Sequence, residues 1–341
     1  MNIENIKAEL LKPEYDFLKT DPHLGNKIIL LTLGGSYAYG TNVETSDIDF
    51  RGCALNSRSD ILGLSNFESY NSNETDTVIY SFNKLVNLLL NCNPNVIEIL
   101  GCKTEHYLYL SDIGKSLIDN RKLFLSQKAV NSFGGYAISQ LRRLENAVAR
   151  DKLPQSRVEE HITNSLIRAV ESLDERFDCF KKDNMELFID KSEKEGFDSE
   201  VFCKIHIDKF PVRDFNTVLN TLSGVVGNYD KLGKRNHKKD NAHLNKHAMH
   251  LIRLYLMCID LLEKEEICTY RENDKEFLLS IRNGAFQNED GTYKPEFFEL
   301  VSDYENKLEY AKNNTSLPPK PNMNKIEEFV MDVNEKAIKL V

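Results

Sequence analysis

The chain has 341 residues, 41% hydrophobic and 28% charged, with a formal net charge of −9. That length can bury a sizeable core and, at about 100–200 residues per domain, suggests two domains; the composition is that of an ordinary globular protein, not a fibrous or disordered one. The acidic balance excludes a broadly basic nucleic-acid binder, while leaving room for a local basic groove on an acidic body. Seven cysteines occur with no CxxC spacing, which argues against a zinc site or a disulfide framework and for free thiols in a reducing cytoplasm. The N-terminus MNIENIKAELLKPEYDF lacks the basic and apolar regions of a signal peptide. The longest apolar runs, 27–33 and 251–262, are too short or too interrupted to span a bilayer, so no membrane partner is expected and a cytoplasmic location is.

Residues 2–18 read as a short amphipathic helix. Residues 27–33 (KIILLTL) form a nearly continuous apolar run that stops at Gly34-Gly35, the pattern of a buried strand entering a tight turn. A short helix is expected over 36–40. Residues 46–55 (SDIDFRGCAL) alternate with period two, so a strand would put Asp47, Asp49 and Arg51 on one face and Ile48 and Phe50 on the other. A third strand is predicted over 76–82 and a helix over 83–91, ending near Asn93-Pro94 because proline cannot continue it. Another short helix is predicted over 95–100.

From residue 126 the signals are helical: 129–150, 160–180, 241–264 and 325–340. The stretches 181–196 and 231–239 read as loops, and 313–324 as a turn-rich connector. The fold class is therefore α/β (α+β), a mixed sheet followed by a mainly helical part. The expected domains are 1–125, carrying the catalytic chemistry, and 126–341, binding substrate.

The informative segment is 33–52, LGGSYAYGTNVETSDIDFRG. Glycines let backbone N–H groups approach a ligand closely, and a helix start adds partial positive charge, so Gly35 and Ser36 are candidate phosphate contacts. About ten residues later Asp47 and Asp49 stand two apart. Two carboxylates this close repel unless a cation or water lies between them, and such oxygens suit Mg²⁺ when it also holds phosphates. Either a GGS turn or a lone DxD is usually structural. A phosphate cradle beside a carboxylate pair has the ingredients of phosphoryl or nucleotidyl transfer.

This block resembles the G-S…D-x-D signature of the DNA polymerase β nucleotidyltransferase superfamily. More closely, GGSYAYGT-x4-SDIDFRG is similar to the predicted nucleotidyltransferases of bacterial RNA-repair operons and of phages. The segments 76–80 (DTVIY), 93–100 (NPNVIEIL), 246–254 (KHAMHLIRL), Arg271 and 281–284 (IRNG) are similar to that family's later elements. The resemblance implies an Mg²⁺- (or Mn²⁺-) dependent enzyme that moves NMP from an NTP to a hydroxyl by a two-metal mechanism. By analogy the acceptor is an RNA end, tRNA-like or broken. Gly35 and Ser36 would hold the triphosphate. Asp47 and Asp49 would bind metal. A third carboxylate is expected from a neighbouring strand; Asp76 is the choice and Glu74 the alternative. A protein AMPylase, a free-nucleotide transferase and an inactive regulator of the same fold are the rival readings.

Further residues carry two readings each. Arg51 is a candidate phosphate contact or an ion-pair partner positioning an aspartate. Glu98 has capping-box spacing from Asn95. Lys246, His250 and Arg253 are candidate nucleotide or phosphate contacts on a cleft-facing helix; the rival places His250 in the core and pairs Arg253 with an acid. His243, His247 and His250 are spaced for one helix face, with no nearby cysteine to complete a zinc site. The basic run 231–239, with Tyr229 and His237, is either a backbone-tracking patch or a solvated loop.

Overall fold

A computed structural model describes residues 3–152, 155–177, 181–191, 199–206, 209–235 and 241–339. The chain divides into two compact units. One comprises 1–140, 248–285 and 295–341; the other comprises 141–247 and 286–294.

The first unit opens with helices α1 (Ile3–Glu9) and α2 (Phe17–Thr20). The single helix expected over 2–18 is broken because Pro13, at the start of a 3₁₀ turn, cannot donate to the preceding carbonyls. There follow β1 (Ile28–Leu33), α3 (Gly35–Tyr39), β2 (Phe50–Ala54), α4 (Arg58–Leu62), β3 (Ser69–Ser72), β4 (Thr77–Ser81), α5 (Phe82–Leu89), α6 (Pro94–Ile97), β5 (Tyr107–Leu110) and α7 (Asp112–Asp119). The strands form one sheet in the order β3-β4-β2-β1-β5. β2 and β4 run parallel, and the other pairs are antiparallel, so the sheet is mixed as expected. Every residue of β1 is buried, consistent with its nearly continuous apolar run; the one polar residue, Thr32, donates its hydroxyl to the His106 carbonyl. Ile6, Leu24, Leu31, Leu33, Phe50 and Ile79 meet in one core cluster.

Two expectations about this sheet change. Asp47 and Asp49 precede β2 and are not part of it. The last cross-strand pair is Leu33↔Phe50; β1 then turns at Gly34-Gly35, so beyond one bond from Gly34 N–H to the Asp49 carbonyl the ladder does not continue. Asp76 likewise stands outside β4, in a turn with φ +44°.

Helix α8 (Lys128–Lys152) is followed by α9 (Gln155–Arg176), β6 (Met185–Lys191), β7 (Ser199–Ile205), α10 (Val212–Arg235), α11 (Asn241–Lys264), α12 (Lys275–Arg282), α13 (Pro295–Asn314) and α14 (Met323–Lys339). In the second unit β6 and β7 form an antiparallel hairpin. It contributes Met185 to a small core with Val170 and Leu173 of α9 and Val218 of α10. The loop expected over 181–196 is thus partly a strand; its remainder from 192 lies outside the described residues. The loop expected over 231–239 is helical to Arg235, and 236–239 lie outside the described residues. None of the helices among the described residues is long and apolar enough to cross a membrane.

Candidate active site

The site is built where β1, β2 and β4 share one end of the sheet. Gly34 N–H donates to the Asp49 carbonyl at 2.8 Å, closing the turn after β1. Gly35 has φ +52°, a left-handed conformation that only glycine adopts cheaply. A Cβ on Gly35 would lie 1.9 Å from Asp49 Oδ2, and one on Gly34 would lie 2.8 Å from Arg51 Cγ. The two glycines are therefore the floor on which the Asp49 carboxylate and the Arg51 stem rest. Ser36 follows, 7% exposed, in the first turn of α3.

Arg51 ties the carboxylate segments together. Its Nη2 bridges to Asp49 Oδ1 at 3.1 Å, and its Nη1 donates to the Asp76 carbonyl at 2.7 Å and to the Phe50 carbonyl at 2.9 Å. The parallel register sets Phe50 opposite Thr77, and Phe50 N–H donates to the Asp76 carbonyl at 3.2 Å. Asp49 and Asp76 therefore stand at equivalent places, each one residue ahead of paired strands. Asp47, Asp76 and Glu74 are exposed and Asp49 is partly buried.

Carboxylate oxygens are the hard donors that Mg²⁺ takes, and Asp49 sits in a cradle that a single methyl would fill. No set of three or more His, Cys, Asp or Glu side chains is gathered for a cation among the described residues. The donor chemistry fits a divalent ion; the full ligand set is not preassembled.

Beneath α3 lies a buried charged cluster. Glu98, 6% exposed, accepts from the Tyr39 hydroxyl at 2.7 Å and from Arg253 Nη1 at 3.4 Å. Arg253 Cζ stacks 3.5 Å from the Tyr39 ring centre. Thr269 Oγ1 donates to the Glu98 carbonyl at 2.6 Å. Burial raises the Glu98 pKa, and the Arg253 charge and Tyr39 hydrogen bond oppose the shift without cancelling it. Glu98 is no capping-box partner: the side chain that caps α6 is that of Asn93, not Asn95.

Arg253 is only 4% exposed, so its guanidinium does not present itself to a ligand; it pairs with an acid instead. His250 is partly buried, edge-on to Tyr39 at 6.1 Å between ring centres. Lys246 and His243 are exposed and His247 is partly buried. Lys246 belongs to the second unit.

Three contacts from distant sequence hold the loop that leads to the aspartates. Arg271 N–H donates to the Tyr39 carbonyl at 3.2 Å. The Tyr270 ring packs on Gly40, where a Cβ would come within 2.6 Å of it. Arg282 donates to the Thr41 carbonyl and to Ser46 Oγ. Sequence similarity pointed to Arg271 and Arg282 without giving them a role. Nothing in local spacing announces these contacts, since the partners of Arg282 stand 241 and 236 residues away.

A mixed five-stranded sheet followed by a mostly helical region is consistent with the core of a polymerase-β-type nucleotidyltransferase. Residues 6–159 match the model of the RlaP family, described as the RNA repair pathway DNA polymerase beta family. That segment, which contains the whole sheet, is thus a polymerase-β-type nucleotidyltransferase of the kind found in RNA-repair operons, as the motif block led us to expect. No curated protein and no solved structure matches the chain.

Proposed function

We propose that the chain transfers a nucleoside monophosphate from an NTP to the hydroxyl of an RNA end, releasing pyrophosphate. The observation that carries this reading is the seating of the Asp49 carboxylate on the Gly34-Gly35 turn, which brings a cation ligand against a phosphate cradle. Asp47 and Asp49 would hold Mg²⁺, and Asp76 would supply the third carboxylate in preference to Glu74, because its backbone is already bonded to both Phe50 and Arg51. Bound there, the ion would supply Lewis-acid stabilisation of the phosphoryl oxygens and a lowered pKa for the attacking hydroxyl.

The remaining work belongs to the chain. Gly35 and Ser36 receive the phosphates. Arg51 positions Asp49 and the Asp76 turn, through its ion pair with Asp49 and its bonds to the Phe50 and Asp76 carbonyls. His250, in the same unit as the turn and the aspartates, remains a candidate nucleotide or acceptor contact.

The test is transfer of label from each of the four NTPs, with Mg²⁺, to RNA carrying a free end, with protein as a second acceptor. Transfer to RNA that is lost in Asp49→Asn is the expected result. Label on protein alone would replace the acceptor and make the chain an AMPylase. No transfer by the wild type under any condition would favour an inactive regulator. Asp49→Asn should fold, at a cost of up to about 1 kcal/mol, because it weakens a partly exposed ion pair with Arg51. Repulsion between Asp47 and Asp49, taken alone, predicts the opposite sign.

A further inference from the structure

Helix α12 ends on Arg282, which reaches back to the loop between α3 and β2. Its Nη1 donates to the Thr41 carbonyl at 2.5 Å and its Nη2 to Ser46 Oγ at 3.3 Å. Thr41 N–H in turn donates to the Ser36 carbonyl at 2.9 Å, and Ser46 adjoins Asp47. The guanidinium therefore grips both ends of the loop that joins the Gly-Ser turn to the aspartates. A guanidinium carries five N–H donors, and these two bonds leave three.

Among the described residues neither Arg282 nor Arg121 has a carboxylate partner, but Arg121 bonds only the Ile118 carbonyl, whereas Arg282 sits on the loop that leads to Asp47. Arg51, Arg253 and Arg271 of the same unit each have a carboxylate partner. Arg282 is withdrawn from water to an intermediate degree, yet its partners among the described residues are two neutral oxygens. Burial lowers its pKa, with no carboxylate offsetting the shift. Holding a cation partly dry without a counter-charge costs free energy, and an anionic ligand would recover it. A planar fork of donors matches phosphate oxygens in pairs.

We infer that Arg282 binds the polyphosphate of the incoming nucleotide, alongside Gly35 and Ser36. The inference rests on the transfer reading above and adds to it a ligand contact from a later segment of the first unit. The same guanidinium keeps its hold on Thr41 and Ser46, so the loop bearing Asp47 is fixed while the phosphates are held.

The experiment uses the full chain, with inorganic tripolyphosphate plus Mg²⁺ as the probe and orthophosphate as the control. Calorimetry should give Arg282→Gln an affinity for tripolyphosphate about tenfold to a hundredfold below wild type, the loss of one or two charge-assisted hydrogen bonds. Arg282→Lys, which keeps the charge without the fork, should fall between the two. Should the glutamine variant fail to fold, the wild type decides: magnesium tripolyphosphate should protect Arg282 from an arginine-specific dicarbonyl reagent, mapped by peptide mass spectrometry, while orthophosphate at the same concentration protects it less. Unchanged affinity in Arg282→Gln, or an unchanged modification rate, would overturn the assignment of Arg282. If in that case Asp49→Asn still abolishes transfer, the nucleotidyltransferase reading survives alone. Protection of Arg282 in a chain that transfers no nucleotide would leave the polyphosphate site standing and remove the transfer reading.

Discussion

At Gly35 two separate demands fall on one residue. The backbone is left-handed, with φ +52°, and the space where a side chain would begin is filled by Asp49 Oδ2 at 1.9 Å. Gly35→Ala must therefore adopt a conformation that costs L-residues about 1–2 kcal/mol and also displace the Asp49 carboxylate. The variant should lose about 2 kcal/mol or more of stability in urea melts and should lose NTP transfer nearly completely. Arg51→Gln, which frees Asp49 without pushing it, should be the milder of the two. Retained transfer in Gly35→Ala would mean that the seating of Asp49 on the turn is not what positions it for chemistry. The residue types of this arrangement were legible in the sequence, because glycine pairs and a D-x-D leave a local signature. The contact itself was not: the side-chain alternation of 46–55 gives a face to Asp49 but not the turn it rests on.

Among the elements, α4 shows how a long polar insertion is kept in order. Ser57 caps this helix, and its Oγ accepts from Asp60 N–H at 3.2 Å while Asp60 Oδ2 accepts from Ser57 N–H at 2.8 Å. Asp60 Oδ1 also accepts from Ser65 Oγ at 2.7 Å and from Phe67 N–H at 3.2 Å. Burial alone would raise the pKa of this carboxyl; the hydrogen bonds from Ser57, Ser65 and Phe67 outweigh it and bring it down to about 2. The folded state thus binds this proton less readily than the unfolded chain. Its contribution is present above the ordinary aspartate range near pH 4 and is lost as the pH falls toward 2. Asp60→Asn should cost about 1 kcal/mol at pH 7, with solvent screening taken into account. The gap between variant and wild type in urea melts should close between about pH 4 and pH 2; a gap that stays constant with pH would assign the effect to packing. The insertion gave little sign of this order, because one aspartate organises it through contacts in both directions. The hairpin strand β6 is hidden for a different reason: Phe188 between Leu187 and Ile189 breaks the period-two order, and charged residues crowd both sides of the short apolar run.

At the scale of the whole molecule, the first unit is not one stretch of chain. Residues 248–285 and 295–341 return to complete what 1–140 begins, so the family match over 6–159 contains the sheet but not all that supports it. A division drawn along the sequence follows the change from mixed to helical signals and has no means of seeing that return. The Glu98–Arg253 pair is the clearest bond between early and late segments. Both side chains are at most 8% exposed, and the Arg253 guanidinium is stacked on Tyr39 of the helix that carries Ser36. Removing one partner of such a pair leaves the other charge buried, at about 3–5 kcal/mol. Arg253→Met should therefore be destabilised by about that amount. With Arg253 gone, the Glu98 pKa should climb further, since the Arg253 charge is the largest influence opposing burial. A carboxyl whose folded pKa lies above its unfolded value binds more protons when folded, so the stability of Arg253→Met should fall as pH rises from the ordinary glutamate range near 4. Glu98→Gln in the Arg253→Met background removes the stranded charge while keeping an acceptor for the Tyr39 hydroxyl. It should restore part of the loss and flatten the pH dependence. Thermal or urea melts of the single and double variants across pH 4–8 measure this directly. Additive losses in the double variant, or a single variant insensitive to pH, would show that Arg253 supports α3 by packing on Tyr39 and not by neutralising Glu98.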